Sequence, residues 1–190
     1  MILGSDIDSV VIDIWPALEE LFWVRHKRWV PYERVYKHDL ESVTQLTRWH
    51  VDTAIEDALK SADLPVYQDA KDFLRPFMLR NNVVFITSRK RRFSDETYLN
   101  LAKHFPVLRS HIYYSNGMSK AQYVESLGVE VFVEDRVKHV IGVAEECPGC
   151  KILLMDRPWN RRWNEDYYEN VTRVRDWEEI AGILEIFGKE

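Results

Sequence analysis

The sequence opens with Ile2-Leu3-Gly4-Ser5-Asp6-Ile7-Asp8, a short apolar run that ends in two carboxylates. We predict a strand over Ile2–Ser5, and residues two apart on a strand face the same way, so Asp6 and Asp8 are expected to enter one site. Two carboxylates this close repel each other unless a cation or a shared proton relieves them. Mg²⁺ suits such a pair, because it prefers one or two carboxylates together with water and phosphate oxygens. Taken alone, the pair is equally consistent with two strand-end caps.

The rest of the chain alternates between short apolar runs and helical patterns. We predict further strands over Val83–Ile86, Ile112–Tyr114, Val129–Val133 and Ile152–Met155. Helical patterns cover Asp95–Phe105, Ser119–Leu127, Val137–Glu146 and Asp176–Phe187, with Asp176 as an N-cap. Strands that alternate with helices of this length indicate βαβ units, an α/β class and a parallel sheet flanked by helices. In such sheets ligands bind beyond the carboxyl ends of the strands.

Polar residues suited to phosphate chemistry follow these strands. The second strand ends in Thr87-Ser88, whose hydroxyls can bond a phosphate oxygen, and the fourth ends in Glu134-Asp135, which offers further carboxylates to a cation. Lys120 opens the preceding helix, where a cation and free N–H groups can meet an anion. Four separate coincidences are not plausible, so the set favours a functional site over strand-end caps.

The segment after the first strand has a different character. It shows helical spacing and no clear strand from about residue 14 to 62, and Asp63-Leu64-Pro65 ends it. We therefore predict a small helical cap over residues 14–65, inserted into a core domain formed by residues 1–13 and 66–190.

Composition sets limits on the function. The 190 residues carry a net charge of −5, which argues against a general nucleic-acid coat, although nucleic acid is not excluded as a partner. An apolar run of about 18 residues, as a membrane span needs, is absent, and the N-terminus lacks the basic start of a signal peptide. We therefore expect a cytoplasmic protein with no membrane partner. The seven tryptophans all lie before residue 50 or after residue 158, which even core packing does not predict.

The four groups together resemble the haloacid dehalogenase superfamily of aspartate-nucleophile phosphohydrolases. The matching stretches are Asp6-Ile7-Asp8-Ser9-Val10, Phe85-Ile86-Thr87-Ser88, Lys120 and Val133-Glu134-Asp135. Within it the chain is most similar to the 5′(3′)-deoxyribonucleotidase group, through the first motif extended to Asp13, the stretch Met155–Arg161 and the stretch Arg175–Ile180. Glu134 stands where many relatives have Asp, and Ser9 where the nucleotidases commonly have Gly.

The resemblance implies a Mg²⁺-dependent phosphomonoesterase that forms an aspartyl-phosphate. In it Asp6 is the nucleophile, Asp8 is the acid and base, and Thr87 and Lys120 stabilise the transferring phosphoryl group. Mg²⁺ is held by Asp6, the Asp8 carbonyl and Asp135, with Glu134 as a further candidate metal ligand. The implied substrate is a small phosphate monoester, a (deoxy)nucleoside 5′-monophosphate.

The substrate contacts are expected from two places. Ser88 and Arg89 follow the second strand directly, next to the motif hydroxyl. In the helical cap, Trp15, Phe22 and Trp23 are candidates for stacking on a base, although a tryptophan at helical spacing is more often part of a core. Base and sugar preference and oligomeric state are open at this point.

Two other readings stay open. Ser88-Arg89, Thr97-Tyr98-Leu99 and Glu134-Asp135-Arg136 resemble the polynucleotide 3′-phosphatases. A binding protein on the same fold, without turnover, is the second alternative, and the complete set of acids, hydroxyl and lysine argues against it. Cys147-Pro148-Gly149-Cys150 has redox-motif spacing, but its Pro-Gly favours a turn before the last strand.

Overall fold

One six-stranded sheet organises the chain, of which the computed structural model describes residues 1–187. All neighbouring strands are parallel, and their order across the sheet is β3-β2-β1-β4-β5-β6. The strands are β1 (Ile2–Ser5), β2 (Asn82–Thr87), β3 (Ile112–Tyr114), β4 (Val131–Glu134), β5 (Lys151–Met155) and β6 (Val171–Val174). The predicted α/β class and parallel sheet are therefore confirmed.

Helices connect the strands and cover both faces of the sheet. They are α1 (Trp15–His26), α2 (Leu40–Thr44), α3 (Arg48–Leu59), α4 (Gln68–Phe77), α5 (Ser94–Ala102), α6 (Ala121–Ser126), α7 (Val137–Glu146) and α8 (Trp177–Phe187). Short 3₁₀ turns lie at Tyr32–Arg34, Arg91–Phe93, Arg109–His111 and Glu165–Tyr167. Among the described residues, no helix has the length and apolar content needed to cross a membrane.

Successive strand residues bury their side chains in two separate cores. Along β4, Val131 and Val133 join one cluster with Leu3 and Phe85, whereas Phe132 joins a second cluster on the opposite face of the sheet. This alternation follows from the two-residue period of a strand, and burial on both faces explains why the strands are nearly continuous apolar runs.

The strands and helices predicted from the sequence are present, with ends shifted by a few residues. The predicted helix Val137–Glu146 coincides with α7. Asp176 caps α8, because its Oδ1 accepts a hydrogen bond from the Glu179 backbone N–H at 2.9 Å.

Helix α4 and strand β6 were not predicted from the sequence. Helix α4 buries only Ala70 and Leu74 fully and contains Pro76, so its apolar pattern is short and interrupted. Strand β6 lies at the edge of the sheet and has two polar residues at its centre, Thr172 and Arg173. The Arg173 guanidinium is held by Asp156 and Glu165, which the local pattern does not reveal.

Candidate active site

The polar residues predicted from the sequence meet at the carboxyl edge of three adjacent strands. Asp6 follows β1 at the centre, Thr87 ends β2 on one side, and Glu134 ends β4 on the other. The Asp6 N–H donates to the Val133 carbonyl at 2.9 Å, so the chain stays in register with β4 as it enters the site. The parallel topology thus brings together groups that lie far apart in the sequence.

Lys120 joins two of the carboxylates. Its Nζ lies 2.7 Å from Asp6 Oδ1 and 2.7 Å from Glu134 Oε2, and its side chain has no solvent exposure. The other oxygen of Glu134 accepts hydrogen bonds from the backbone N–H groups of Asp135 and Arg136 at 3.0 and 2.9 Å. Glu134 therefore holds Lys120 in place, and both of its oxygens are already engaged.

Negative charge is in excess at this edge. Carboxylate oxygens of Asp6, Glu134 and Asp135 lie within 4.8 Å of one another, with Lys120 as the cation among them. Burial and the charge of Glu134 raise the pKa of Asp6 and of Asp135. Burial acts in the same direction on Glu134, but Lys120, His139 and the Arg136 backbone N–H together lower its pKa. Of the Asp135 oxygens, Oδ2 accepts from Trp159 Nε1 at 2.9 Å, and Oδ1 is buried without a hydrogen-bond partner among the described residues.

Asp8 stands next to this cluster and has a different partner. Its carboxylate accepts two hydrogen bonds from Arg89, at 2.9 Å from Nε and 2.6 Å from Nη2. Asp8 also lines a cavity of about 220 Å³ that opens above the strand ends. About a quarter of its side chain is exposed, whereas Arg89 is fully buried.

The loop after β5 braces the site from behind. Arg157 Nε donates to the Ser9 carbonyl at 2.7 Å, and Asn160 Nδ2 donates to the carbonyls of Asp135 and Met155 at 2.9 and 2.8 Å. These bonds tie the loops after β1 and β4 to one another. They give the stretch Met155–Arg161 a structural role in holding these two loops.

Comparison with known families identifies the chain. The family model described as "5′ nucleotidase, deoxy (Pyrimidine), cytosolic type C protein" matches residues 1–189. The chain belongs to this family. Its members have the haloacid dehalogenase-like fold, so the predicted superfamily and the resemblance to the nucleotidase group are both confirmed.

Individual relatives agree with this assignment. A nucleotidase of Clostridium acetobutylicum is 25% identical over 118 residues, which span 62% of this chain and 58% of that protein. A haloacid dehalogenase-like protein of unknown function from Agrobacterium tumefaciens has a TM-score of 0.69 at 14% identity, covering 98% of both chains. A haloacid dehalogenase family hydrolase from Deinococcus radiodurans, solved with phosphate and sodium, has a TM-score of 0.63 at 14% identity, covering 98% of this chain and 95% of that one.

In this nucleotidase-family protein the cavity has two kinds of wall. The floor is formed by residues at the strand ends, among them Asp6, Thr87 and Asp135. The opposite wall is apolar and comes from the segment between β1 and α4, with Trp15, Leu18, Val35, Leu40, Ile55 and Leu59. A phosphate group would fit the polar floor, and an organic group would fit the apolar wall.

Two of the three aromatic residues predicted to contact substrate lie elsewhere. Trp15 lines the cavity, but Phe22 is fully buried in the core and does not line it. Trp23 is 51% exposed, with the Lys27 ammonium 5.5 Å from its ring centroid, and also does not line the cavity. The helical period explains the correction, because Phe22 follows Trp15 and Leu18 along the buried face of α1, and Trp23 turns away from it.

Several residues that line the cavity were not predicted as site residues, and among them Arg136, Trp159 and His38 carry polar or aromatic groups. Arg136 directly follows the acidic pair, a position that could have drawn attention to it. Trp159 lies in the nucleotidase-like stretch Met155–Arg161, and its place in that stretch could have drawn attention to it. His38 carries no local signal, and its ring reaches Trp159 at a centroid distance of 6.4 Å only through the fold.

Two motif residues have local features that bear on their roles. Ser9 has a φ of 62°, in the left-handed region that favours glycine, which accounts for the glycine common at this position in the nucleotidases.

Ser88 lines the cavity, and its Oγ lies 3.1 Å from His139 Nε2. Burial lowers the pKa of His139 to about 4, so its ring is neutral near pH 7 and can serve as a hydrogen-bond partner for Ser88.

Proposed function

We propose that this protein is a Mg²⁺-dependent phosphomonoesterase that hydrolyses (deoxy)nucleoside 5′-monophosphates through an aspartyl-phosphate on Asp6. The observation that carries the proposal is the buried cluster of Asp6, Lys120, Glu134 and Asp135, of which Asp6 and Asp135 line a cavity that also has an apolar wall. Family membership supports the choice of a nucleotide over other phosphate esters. We place the reaction in the cytoplasm, as expected from the sequence.

The residues present fit a divalent cation. Asp135 Oδ1 is buried and makes no hydrogen bond among the described residues, and buried polar atoms normally have a partner. Asp6, Asp135 and the backbone carbonyl of Asp8 would hold the ion, with Glu134 anchoring Lys120 beside them. When bound, Mg²⁺ would supply charge neutralisation for the phosphate oxygens and help to orient the phosphoryl group for in-line attack.

The chain's own residues then carry the two steps. In the first, an Asp6 carboxylate oxygen bonds to phosphorus as the bond from phosphorus to the 5′-oxygen breaks, and Asp8 gives that oxygen its proton. In the second, a water oxygen bonds to phosphorus, Asp8 takes the water proton, and the bond from Asp6 to phosphorus breaks. Phosphate leaves, and both aspartates return to their starting states.

Two further residues stabilise the transferring group. Thr87 lines the cavity at the end of β2, where its hydroxyl can donate to a phosphoryl oxygen. Lys120 offers positive charge from beneath Asp6, already held by two carboxylates. Because both positions are fixed before substrate arrives, little reorganisation is needed in the transition state.

We further propose that residues 14–65 form a cap over a core domain of residues 1–13 and 66–190. The apolar wall of the cavity supports this division, because it comes from this segment, whereas the acidic floor comes from the strand ends. The cap would contact the nucleoside through Trp15, whose indole ring stands at the cavity.

A substrate screen with matched variants tests the proposal. We expect Mg²⁺-dependent phosphate release from nucleoside 5′-monophosphates, loss of that release with EDTA, and no turnover by Asp6→Asn, which should keep its fold. Asp52→Asn, at an exposed position on α3, is the control and should retain full activity.

Two results would contradict the nucleotidase assignment. Preference for a 3′-phosphorylated oligonucleotide over mononucleotides would favour the polynucleotide 3′-phosphatase reading. Absence of release from every nucleotide and from an aryl phosphate would favour a binding protein.

A further inference from the structure

Arg89 is a buried cation that the two proposed steps do not yet use. Its guanidinium makes a two-point ion pair with Asp8, and Nη1 donates to Thr97 Oγ1 at 3.1 Å. Thr97 is itself fully buried on α5, and its hydroxyl donates to the Phe93 carbonyl at 2.6 Å. Arg89 is thus fixed from one side by α5 and presents its other side to Asp8.

We infer that Arg89 is a positioning residue that holds Asp8 as the acceptor of the water proton in the second step. This inference rests on the proposed function. Arg89 also lines the cavity, as expected of a residue near the substrate, but its side chain is only 1% exposed and its Nε and Nη2 are engaged with Asp8, so we expect it to act mainly through Asp8.

The ion pair leaves Asp8 able to react. A carboxylate has about four lone-pair sites on its two oxygens, and a two-point arginine contact occupies two of them. The remaining sites are accessible from the cavity, since Asp8 lines it and its side chain is 26% exposed. The pair therefore fixes the rotation of the carboxylate without blocking its approach to a water molecule.

The geometry of the contact favours arginine specifically. A guanidinium donates in a rigid plane and can match both oxygens of a carboxylate, whereas an ammonium is a point charge that leaves the carboxylate free to rotate. The Arg89 backbone N–H also donates to Thr87 Oγ1 at 3.1 Å, so the residue that orients Asp8 is tied to the phosphate-binding hydroxyl. Arg89 therefore makes contact with both Asp8 and Thr87.

The chemistry of p-nitrophenyl phosphate separates the two steps. Its leaving group departs as p-nitrophenolate and needs no proton from Asp8, so formation of the aspartyl-phosphate does not depend on the position of Asp8. Hydrolysis of that intermediate does depend on it, because the attacking water must give up a proton. A misplaced Asp8 should therefore slow the second step selectively.

Stopped-flow measurement with p-nitrophenyl phosphate and Mg²⁺ tests this role in the intact protein. For Arg89→Gln we expect a burst of p-nitrophenolate at the wild-type rate, followed by steady turnover at least about tenfold slower than wild type. The steady turnover of Arg89→Lys should lie between that of wild type and that of Arg89→Gln. Thr97→Val removes the anchor of Arg89 together with the hydrogen bond to the Phe93 carbonyl, and it should show the same pattern more weakly. This variant covers the case in which Arg89→Gln does not fold.

Matched variants distinguish the possible failures. Arg91→Gln changes an exposed arginine two residues away and should behave as wild type. If the burst and steady phases of both Arg89→Gln and Thr97→Val fall together, or if neither phase changes, Arg89 does not act through Asp8 and the inference is overturned. If Asp6→Asn still gives a burst, the proposed nucleophile is wrong, and that result is separate from the outcome at Arg89.

Discussion

At the scale of single residues, the site holds three buried carboxylates and one lysine, so its negative charge exceeds its positive charge. Lys120 satisfies Asp6 and Glu134, but within residues 1–187 one oxygen of Asp135 has no hydrogen-bond partner, and it lies close to two other carboxylates. Burying like charges together costs stability unless a cation joins them. The metal-free fold is therefore expected to be strained by its own active site.

Asp135→Asn tests this balance directly. In EDTA we expect the variant to melt at a higher temperature than wild type, because it removes one buried negative charge while keeping the hydrogen bond to Trp159. Addition of Mg²⁺ at about 100 times its dissociation constant should stabilise wild type by about 2.7 kcal/mol and leave the variant nearly unchanged. Asp166→Asn, at an exposed position, should behave as wild type in both conditions. A full Mg²⁺ shift in Asp135→Asn would exclude Asp135 as a ligand.

The acidic residues could be located from the sequence, because the end of a short apolar run marks the end of a strand. Asp6, Thr87 and Glu134 each end or follow an apolar run, and a parallel sheet brings such ends to one edge. The partner of Asp8 could not be obtained in this way. Arg89 lies in a run of four basic residues, and only the fold shows that this one turns inward while Arg91 stays exposed.

At the scale of elements, strand β1 depends on close packing at Gly4. A Cβ atom at this position would lie 2.8 Å from Val129 Cγ1, closer than real Cβ atoms approach, and 3.0 Å from Phe132 Cδ2, tighter than most real contacts. Gly4→Ala should therefore lower the free energy of unfolding by about 1–3 kcal/mol, measured by urea denaturation.

A second glycine provides the control. In helix α8, a Cβ at Gly182 would meet no atom of the described residues within 4 Å outside the backbone of its own helix, so Gly182→Ala should stabilise the protein by about 0.5–1 kcal/mol. Equal effects of the two substitutions would show that backbone entropy, and not packing against Val129, decides the outcome at Gly4.

The turn between α7 and β5 gives a prediction about its cysteines. Both thiols are free, Cys147 partly exposed and Cys150 buried, and burial raises the pKa of Cys150 to about 12. The reactive thiolate is therefore scarce at pH 8. A colorimetric thiol reagent should modify Cys147 slowly and Cys150 only after unfolding. Rapid reaction of both would instead support a redox role for this pair.

Elements with a strong local pattern were predictable, and elements held by tertiary contacts were not. Helix α7 has buried Val140, Val143 and Ala144 at helical spacing, and its bounds were predicted without error. Strand β6 has no such pattern, because its place at the edge of the sheet is secured by pairing with β5 and by the ion pairs of Arg173.

At the scale of the whole molecule, the fold brings tryptophans from the two ends of the chain together at the cavity. Trp15 from α1 and Trp159 from the loop after β5 both line the cavity, and Tyr32 contacts both rings at centroid distances of 6.2 and 5.7 Å. The other tryptophans differ in their surroundings. Trp177 is fully buried in the core, whereas Trp23, Trp29 and Trp49 are more than half exposed. Composition alone could not separate these groups.

Trp15 provides the test of how the cavity uses this aromatic wall. Its ring is 6% exposed, and its Nε1 is buried with no hydrogen-bond partner among the described residues, so it has a donor available for a bound nucleotide. Trp15→Phe keeps an apolar ring and removes that donor. We expect KM for a nucleoside monophosphate to rise about 5- to 10-fold, as the loss of one hydrogen bond of about 1–1.5 kcal/mol requires, with kcat near wild type.

The matched change is Trp23→Phe, which alters an exposed ring on the same helix and should leave both constants unchanged. Thermal melting of each variant separates a binding effect from a loss of packing around Trp15, which contacts Phe22 and Tyr32. An unchanged KM in a folded Trp15→Phe would mean that the indole N–H does not meet the substrate. The apolar wall would then contribute by shape alone, and the meeting of the two chain ends at the cavity would be a feature of packing and not of recognition.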